Sequence, residues 1–241
     1  MFKKGIIVSI SEKYYTLAEE LRKNNKFKKS IENYLHSILI DRENPDAYIG
    51  LALSYKKLKN YQKAIATLKK AEKLSPQNAK IQKELALCNI IEGEYCIGIK
   101  HLINSIKMEP ENTDIQMQLA LVHEMIEEED MALMIYQKII ETNPEYIRAY
   151  IQKATLYMHL EDYLNSAKMF KQIIKLKPDY FRANLALGIC LEKLGNPTAA
   201  RRYYKKYLKV PSIDDNKKEI FERISELANN LMNNDTTLRI V

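Results

Sequence analysis

Four prolines of this chain recur at one fixed interval. Pro76, Pro110, Pro144 and Pro178 are each 34 residues apart. A strict period of this length indicates a repeat architecture, in which each copy forms one supersecondary unit. Other positions keep the same period, because a 34-residue frame that begins at Ser11 has a small residue at positions 8 and 20 in all six copies. These residues are Ala18, Ala52, Ala86, Ala120, Ala154 and Gly188 at position 8, and Ser30, Ala64, Gly98, Ala132, Ser166 and Ala200 at position 20.

Each copy of the frame predicts two helices joined by a turn. Positions 4, 7, 8 and 11 share one face of a first helix, and positions 20, 24 and 27 share one face of a second helix. The small residues at positions 8 and 20 allow the two helices to approach closely where they cross. The proline at position 32 disfavours helical conformation in the residue before it and therefore ends the second helix. The sequence predicts helical hairpins that stack on their neighbours.

This pattern resembles the tetratricopeptide repeat (TPR) family. The segment 47–76, AYIGLALSYKKLKNYQKAIATLKKAEKLSP, is close to the consensus of that family, and the resemblance covers residues 11–214. It implies an all-α fold, a right-handed superhelical α-solenoid of six repeats at 11–44, 45–78, 79–112, 113–146, 147–180 and 181–214. Some positions depart from the family pattern: Arg42 and Ser212 replace the proline, Glu129 and Pro197 replace the turn aromatic, and Lys153 replaces the packing leucine. For Lys153 we expect a stem that packs while the ammonium reaches water.

The segments outside the repeats carry weaker signals. Residues 1–10 are an N-terminal segment, residues 215–232 predict a capping helix over the last repeat, and residues 233–241 predict a flexible tail. The apolar stretch Ile6–Ile10 lacks the length and the cleavage site of a secretory signal, and no apolar run is long enough to cross a bilayer. The three cysteines, Cys88, Cys96 and Cys190, have no metal-like spacing. They suit a reducing compartment, and we predict a cytoplasmic protein.

The sequence contains no motif typical of an enzyme. It has no Gly-rich phosphate loop, no HExxH, no GxSxG and no paired CxxC. The four histidines fall in four different repeats, and the acidic run 127–130 lacks the glycine and the spaced ligands of a calcium loop. We interpret that run as a solvated turn. The sequence therefore predicts no catalytic residue, no metal site and no cofactor.

The resemblance also implies a binding surface. In TPR arrays the first helix of each repeat lines a concave groove, mainly through positions 2, 5, 9, 12 and 13. In repeats 2 to 6 these positions are mostly apolar, which gives the first helices a second apolar stripe. Because a large exposed apolar patch marks a binding site, we predict a groove for an apolar or amphipathic peptide. The groove residues are Ile49, Leu53, Lys56, Lys83, Leu87, Ile90, Met117, Leu121, Met125, Arg148, Ile151, Met158, Leu185 and Ile189. The cations among them favour a protein or peptide ligand with an acidic flank.

Two alternatives to a peptide partner remain open. The ends of the chain, Ile6–Ile10 or Leu238–Val241, could fill the groove. The groove or the ends of the array could instead engage another copy in a self-assembling structural protein, a homo-oligomer. Nucleic acid is disfavoured despite the formal net charge of +7, because it requires a continuous basic stripe with stacking aromatics. The fourth repeat, with eight acidic residues against one lysine, interrupts any such stripe.

Overall fold

The computed structural model describes residues 2–209, 220, 222–224 and 226–227, with side chains from residue 9 onward. This part of the chain is helical and contains no strand. Its helices follow one another in pairs, and we number them in chain order. They are α1 (Phe2–Lys23), α2 (Phe27–Ile40), α3 (Pro45–Lys57), α4 (Tyr61–Leu74), α5 (Ala79–Ile91), α6 (Tyr95–Met108), α7 (Thr113–Met125), α8 (Glu129–Thr142), α9 (Ile147–His159), α10 (Tyr163–Leu176), α11 (Arg182–Lys193) and α12 (Pro197–Leu208).

The helix boundaries follow the 34-residue frame. The first helices of repeats 2 to 5 occupy frame positions 1–13, and the second helices of repeats 1 to 5 occupy positions 17–30. Helix α1 is longer than its counterparts because it begins at Phe2, so Ile6–Ile10 continue the first helix of repeat 1. The all-α fold of tandem helix pairs predicted from the sequence is confirmed.

Asparagine side chains begin the first helices of repeats 2 to 4. The side-chain oxygen of Asn44 accepts hydrogen bonds from the backbone amides of Asp46 and Ala47, at 3.0 and 3.2 Å. Asn78 and Asn112 have the same role at α5 and α7. These caps satisfy backbone donors that have no partner within the helix.

A left-handed residue ends the first helix of every repeat. Frame position 15 has a positive φ in all six copies. The residues are Asn25, Lys59, Gly93, Glu127, Glu161 and Gly195, with φ between 57° and 84°. This conformation reverses the chain after the helix, and glycine adopts it with least strain. Two of the six positions carry glycine, so the others hold a less favourable residue in this turn.

The described chain separates into two compact units, residues 1–128 and 129–241. The core of unit 1 contains Ile49, Leu68, Ile81 and Leu85, which come from α3, α4 and α5. The core of unit 2 contains Phe170, Ile173, Leu187 and Cys190, from α10 and α11. In both units the small residues at positions 8 and 20 are buried, as close helix crossing requires.

Serine at position 20 adds a hydrogen bond to the helix crossing. The hydroxyl of Ser30 donates to the backbone carbonyl of Ala18 at 2.9 Å in unit 1, and Ser166 donates to Ala154 at 2.9 Å in unit 2. Both acceptors stand at position 8 of the same repeat. Serine is therefore small enough for the crossing and also satisfies its own buried hydroxyl.

Lys153 differs from our expectation that its ammonium would reach water. The residue is 6% exposed, and its ammonium donates to the side-chain oxygen of Gln137 at 2.6 Å. It also lies 5.7 Å from the centre of the Tyr157 ring. Burial lowers the pKa of Lys153, and nearby Glu141 opposes that shift. The lysine is therefore held by partners inside unit 2 at a position where the other repeats have leucine.

The described residues from 220 to 227 are helical and pack against the last repeat. Ile220 and Ile224 are buried in one cluster with Ala200, Tyr204 and Tyr207. The Arg223 guanidinium pairs with the Glu192 carboxylate at 2.9 Å. The rest of the predicted capping helix 215–232, the whole tail 233–241 and Ser212 lie outside the described residues.

Candidate functional site

Twelve of the fourteen predicted groove residues fall into three groups, and the first group is buried. Ile49 is 2% exposed and Met117 is 1% exposed, so neither offers surface to a partner. Ile49 packs with Ile81 and Leu85 of the neighbouring first helix. Ile49 at position 5 therefore lies between two first helices, an arrangement that the pattern of a single helix cannot distinguish from an open face.

The second group is occupied by partners within the chain. The Lys56 ammonium forms an ion pair with the Glu84 carboxylate, and Glu84 is itself 8% exposed. Lys56 is therefore unsuited to the acidic flank of a ligand. Lys83, which is half-buried, and Arg148, which is exposed, remain as the other predicted cations.

Several apolar groove residues also pack within their own unit. Ile90 lies against its second helix, because a Cβ added to Gly98 would stand 2.5 Å from the Ile90 side chain. In unit 2, Ile151 and Met158 pack beside the core that contains Leu187. Leu185 and Ile189 pack against the cluster of Ile220 and Ile224, so a later segment of the chain itself covers them in part. The C-terminal segment Leu238–Val241, which the sequence suggested as a filler of the groove, lies outside the described residues.

The third group forms an apolar patch on unit 1. We use this name for Leu53, Leu87, Ile91, Leu121 and Met125, which stand at frame positions 9 and 13. Ile91 is 53% exposed and Met125 is 56% exposed, whereas the three leucines are half-buried. Positions 9 and 13 are one helical turn apart and share a face. This face is therefore apolar at both positions in α5 and α7, whereas α3 has Leu53 at position 9 and Lys57 at position 13.

Shared cores and one ion pair join these helices. Ile49 of α3 lies in one cluster with Ile81 and Leu85 of α5, and Leu53 packs at the edge of that cluster. The ion pair of Lys56 with Glu84 also joins α3 to α5. Ala86 of α5 shares a cluster with Ile115 and Val122 of α7. The patch residues therefore lie on three successive first helices that share buried cores, with Lys57 and Lys83 on the same helices.

The equivalent positions of unit 2 are more polar. Position 9 is Thr155 in α9, and position 13 is His159 in α9 and Lys193 in α11, all of them exposed. The apolar character is thus concentrated in repeats 2 to 4. The sequence singled out four of the five patch residues, and Ile91 was missed although position 13 indicated it.

Several titratable groups of the described chain are buried or paired with other residues of the chain. The His123 ring nitrogen lies 2.6 Å from the Glu128 carboxylate, and His123 is 7% exposed. Burial raises the pKa of the Cys88 thiol to about 11; the nearby Lys56 lowers this pKa to a smaller extent, and Glu84 adds to the increase. Among the described residues no three His, Cys, Asp or Glu side chains are grouped so that they could hold a metal ion. Nor is any described helix both long and apolar enough to span a bilayer.

A hydrogen-bonded group of one glutamate, one arginine and one tyrosine occurs in each unit. In unit 1 the Glu19 carboxylate accepts hydrogen bonds from Arg22 and from the buried Tyr34 hydroxyl. Burial would raise the pKa of Glu19, but these two donors outweigh it and lower the pKa. In unit 2 Glu192 accepts from Tyr204 and Arg223 in the same way. Both tyrosines stand at frame position 24, where the hydroxyl of a buried ring needs a partner.

Solved structures with the same fold are numerous but distant in sequence. The C-terminal part of a TPR repeat-containing protein from Cytophaga hutchinsonii matches with a TM-score of 0.74 and 16% identity, over 81% of this chain and 78% of that chain. A tetratricopeptide repeat protein from Parabacteroides merdae matches with a TM-score of 0.69 and 16% identity, over 92% and 88%. YrrB, described as a TPR protein with an unusual peptide-binding site, matches with a TM-score of 0.59 and 18% identity, over 74% and 92%. At these identities the likeness establishes the fold alone.

Family models settle the membership of the chain. Three models, each described as tetratricopeptide repeat, match residues 12–44, 45–78 and 151–216, which together are more than half of the sequence. No protein with curated function matches the sequence. The helix pairs, the 34-residue period and these matches agree, and the chain belongs to the tetratricopeptide repeat family.

Proposed function

We propose that this protein is a non-enzymatic interaction scaffold that binds an apolar or amphipathic peptide segment on the apolar patch of unit 1. TPR proteins are in general protein-interaction scaffolds, and YrrB, one structural neighbour, is described as having a peptide-binding site. The observation that carries the proposal is the exposure of Ile91 and Met125 beside Leu87 and Leu121. Exposed apolar side chains grouped on one surface favour association with another molecule.

The chemistry of the patch suggests what the ligand contains. Leucine and isoleucine side chains favour apolar anchors, and methionine adapts its shape to different partners. Lys57 is exposed and Lys83 half-buried on the helices that form the patch. These lysines favour a ligand with carboxylates beside its apolar residues. A helical peptide with apolar residues at spacings of three and four would meet two neighbouring helices at once.

Selection from a displayed peptide library tests the proposal. The wild-type chain should enrich peptides that combine apolar residues with acidic residues. The variant L87E/M125E should lose these peptides, because both changes place carboxylates in the patch without filling the core. The matched control is L35E/L39E on α2, where two exposed leucines, 47% and 68% exposed, lie outside the patch. The proposal fails if enrichment is absent or if both variants lose binding equally.

Self-assembly through the patch or the array ends is the competing function. Static light scattering over a concentration series separates the two. We expect a constant monomer mass, because the patch is proposed to serve a peptide. A mass that rises with concentration, and that returns to the monomer in L87E/M125E, would replace the peptide proposal with homo-oligomerisation.

We also place the protein in the cytoplasm. The support is chemical: Cys88 and Cys190 are buried free thiols that pack as small apolar side chains, and Cys96 is exposed and free. A reducing compartment keeps an exposed thiol from forming a disulfide. Fractionation of the native cells, with detection of the protein in the soluble cytoplasmic fraction, tests this placement.

A further inference from the structure

The second helices of the last two repeats carry an unbalanced positive charge. Helices α10 and α12 contain seven lysines and arginines and no carboxylate. The formal net charge of the whole chain is +7. The positive charge of these two helices therefore equals the net charge of the entire protein. This charge is concentrated on one part of unit 2.

Three cations recur at the same frame positions of both repeats. Positions 22, 25 and 29 are Lys168, Lys171 and Lys175 in repeat 5, and Arg202, Lys205 and Lys209 in repeat 6. All six residues are exposed. No other repeat has three basic residues at these positions. We call these six residues the basic array.

The repeat geometry makes the basic array two-dimensional. Positions 22, 25 and 29 lie on one helix face and extend about 10 Å along the axis. Helices α10 and α12 both pack against α11, and Tyr203 of α12 packs against the cluster that contains Phe170 and Ile173 of α10. Each row of three cations therefore lies on the second helix of one of two successive repeats that share a core, with Lys209 one residue beyond the end of α12.

The cations of the basic array are not neutralised by the described residues around them. None of the six forms an ion pair with a described residue, and Lys168 donates only to the Asn165 side chain at 3.0 Å. Asp162, which caps the N-terminus of α10, accepts a hydrogen bond from the Asn165 side chain at 2.7 Å. Glu192 of α11 is paired with Arg223. The field of the array is therefore directed to the solvent.

We propose that the basic array binds the surface of an anionic lipid membrane. A membrane presents many negative headgroups over an area, which fits cations spread over the second helices of two successive repeats. Clustered lysines and arginines on helices are attracted to anionic lipid headgroups. Leu164, 56% exposed, lies on the same stripe as Lys168, Lys171 and Lys175 and adds an apolar contact at its end.

Nucleic acid fits the basic array less well. Single strands are held by aromatic side chains on which bases stack. Tyr203, which follows Arg202 of the array in sequence, is half-buried, and the Lys206 ammonium lies 4.9 Å from the centre of its ring. A duplex presents its phosphates along a curved backbone, which would engage one row of the array rather than both.

Vesicle sedimentation with the full-length chain tests the proposal. We expect binding to vesicles with about 30% phosphatidylserine, no binding to pure phosphatidylcholine vesicles, and loss of binding at high salt. The variant K168Q/K171Q/K175Q should bind about a hundredfold more weakly, at about fivefold per cation removed. The variant R202Q/K205Q/K209Q should bind about as weakly as the first variant. Because the two variants change different helices, agreement between them argues against misfolding as the cause of weak binding.

A matched control removes equal charge elsewhere. The variant K69Q/K70Q/K73Q neutralises three exposed lysines on α4 and should bind vesicles like the wild type. Equal loss in this control would overturn the proposal, because net charge rather than the array would then be responsible. The proposal also fails if the wild type ignores phosphatidylserine. Tighter array-dependent binding to a short duplex DNA, measured by fluorescence anisotropy, would assign the array to nucleic acid instead.

Discussion

Replacing Gly50 by alanine probes how tightly the repeats of unit 1 pack. A Cβ at this position would lie 2.3 Å from the Tyr34 ring, and Tyr34 is fully buried. The ring cannot move away freely, because the Tyr34 hydroxyl is bonded to Glu19 and lies 3.3 Å from Arg22. Gly50 therefore leaves room for the Tyr34 ring of the preceding repeat.

The magnitude follows from two opposing effects. Alanine in a helix interior is favoured over glycine by up to about 1 kcal/mol. Overpacking of a core typically costs about 1–3 kcal/mol, and a contact of this length belongs at the upper end. We expect G50A to lower the free energy of unfolding by about 2 kcal/mol, although the same change is stabilising at an open helical site.

A double-mutant cycle isolates the contact. The variant Y34L loses its own buried contacts, but in that background G50A should be neutral or stabilising. Repeats 2 and 3 already combine leucine at position 24, Leu68 and Leu102, with larger residues at position 6 of the next repeat, Glu84 and Gln118. Urea unfolding followed by circular dichroism gives the four free energies, and a coupling of about 2–3 kcal/mol is expected. A G50A protein as stable as the wild type would refute the packing argument.

Three further outcomes follow from single positions. The variant K153L should raise the free energy of unfolding at neutral pH by about 1 kcal/mol, because a buried ammonium is replaced by the leucine of the other repeats. The pKa of Lys153 is lowered in the folded state, so the destabilisation by its buried ammonium is complete below that pKa. This destabilisation declines as the pH rises toward the pKa of lysine in the unfolded chain, and the protein becomes more stable there. The variant K153L should lack this increase in stability at alkaline pH. The variant E161G should stabilise the protein by about 0.5–1 kcal/mol in thermal unfolding, because φ at position 161 is 57°, whereas E161A should not. Iodoacetamide should label Cys96 in the folded protein and reach Cys88 and Cys190 only after unfolding; rapid labelling of all three would contradict their burial.

The helix pairs could be predicted from the sequence because the period is strict. Proline at position 32 and small residues at positions 8 and 20 define where each helix ends and crosses. The left-handed residue at position 15 could not be predicted in the same way. Lys59, Glu127 and Glu161 occupy it, and such residues adopt that conformation only when the chain around them enforces it.

The candidate surface was predicted only in part. Position 5 is apolar in most repeats, but whether Ile49 and Met117 face a neighbour or the solvent depends on packing between repeats that are 34 residues apart. The pairing of Lys56 with Glu84 likewise joins two repeats, and the spacing of one helix does not show it. Ile91 and Met125 stand at position 13, the last residue of their helices, and they remain exposed.

Hydrogen–deuterium exchange with and without a selected peptide tests the peptide-binding proposal most directly. We expect the peptide to slow exchange in the segments 83–91 and 117–125, which carry four of the five patch residues, and to leave α10 and α12 unchanged. Protection confined to the second helices or to unit 2, with the patch exchanging as in the free protein, would contradict it.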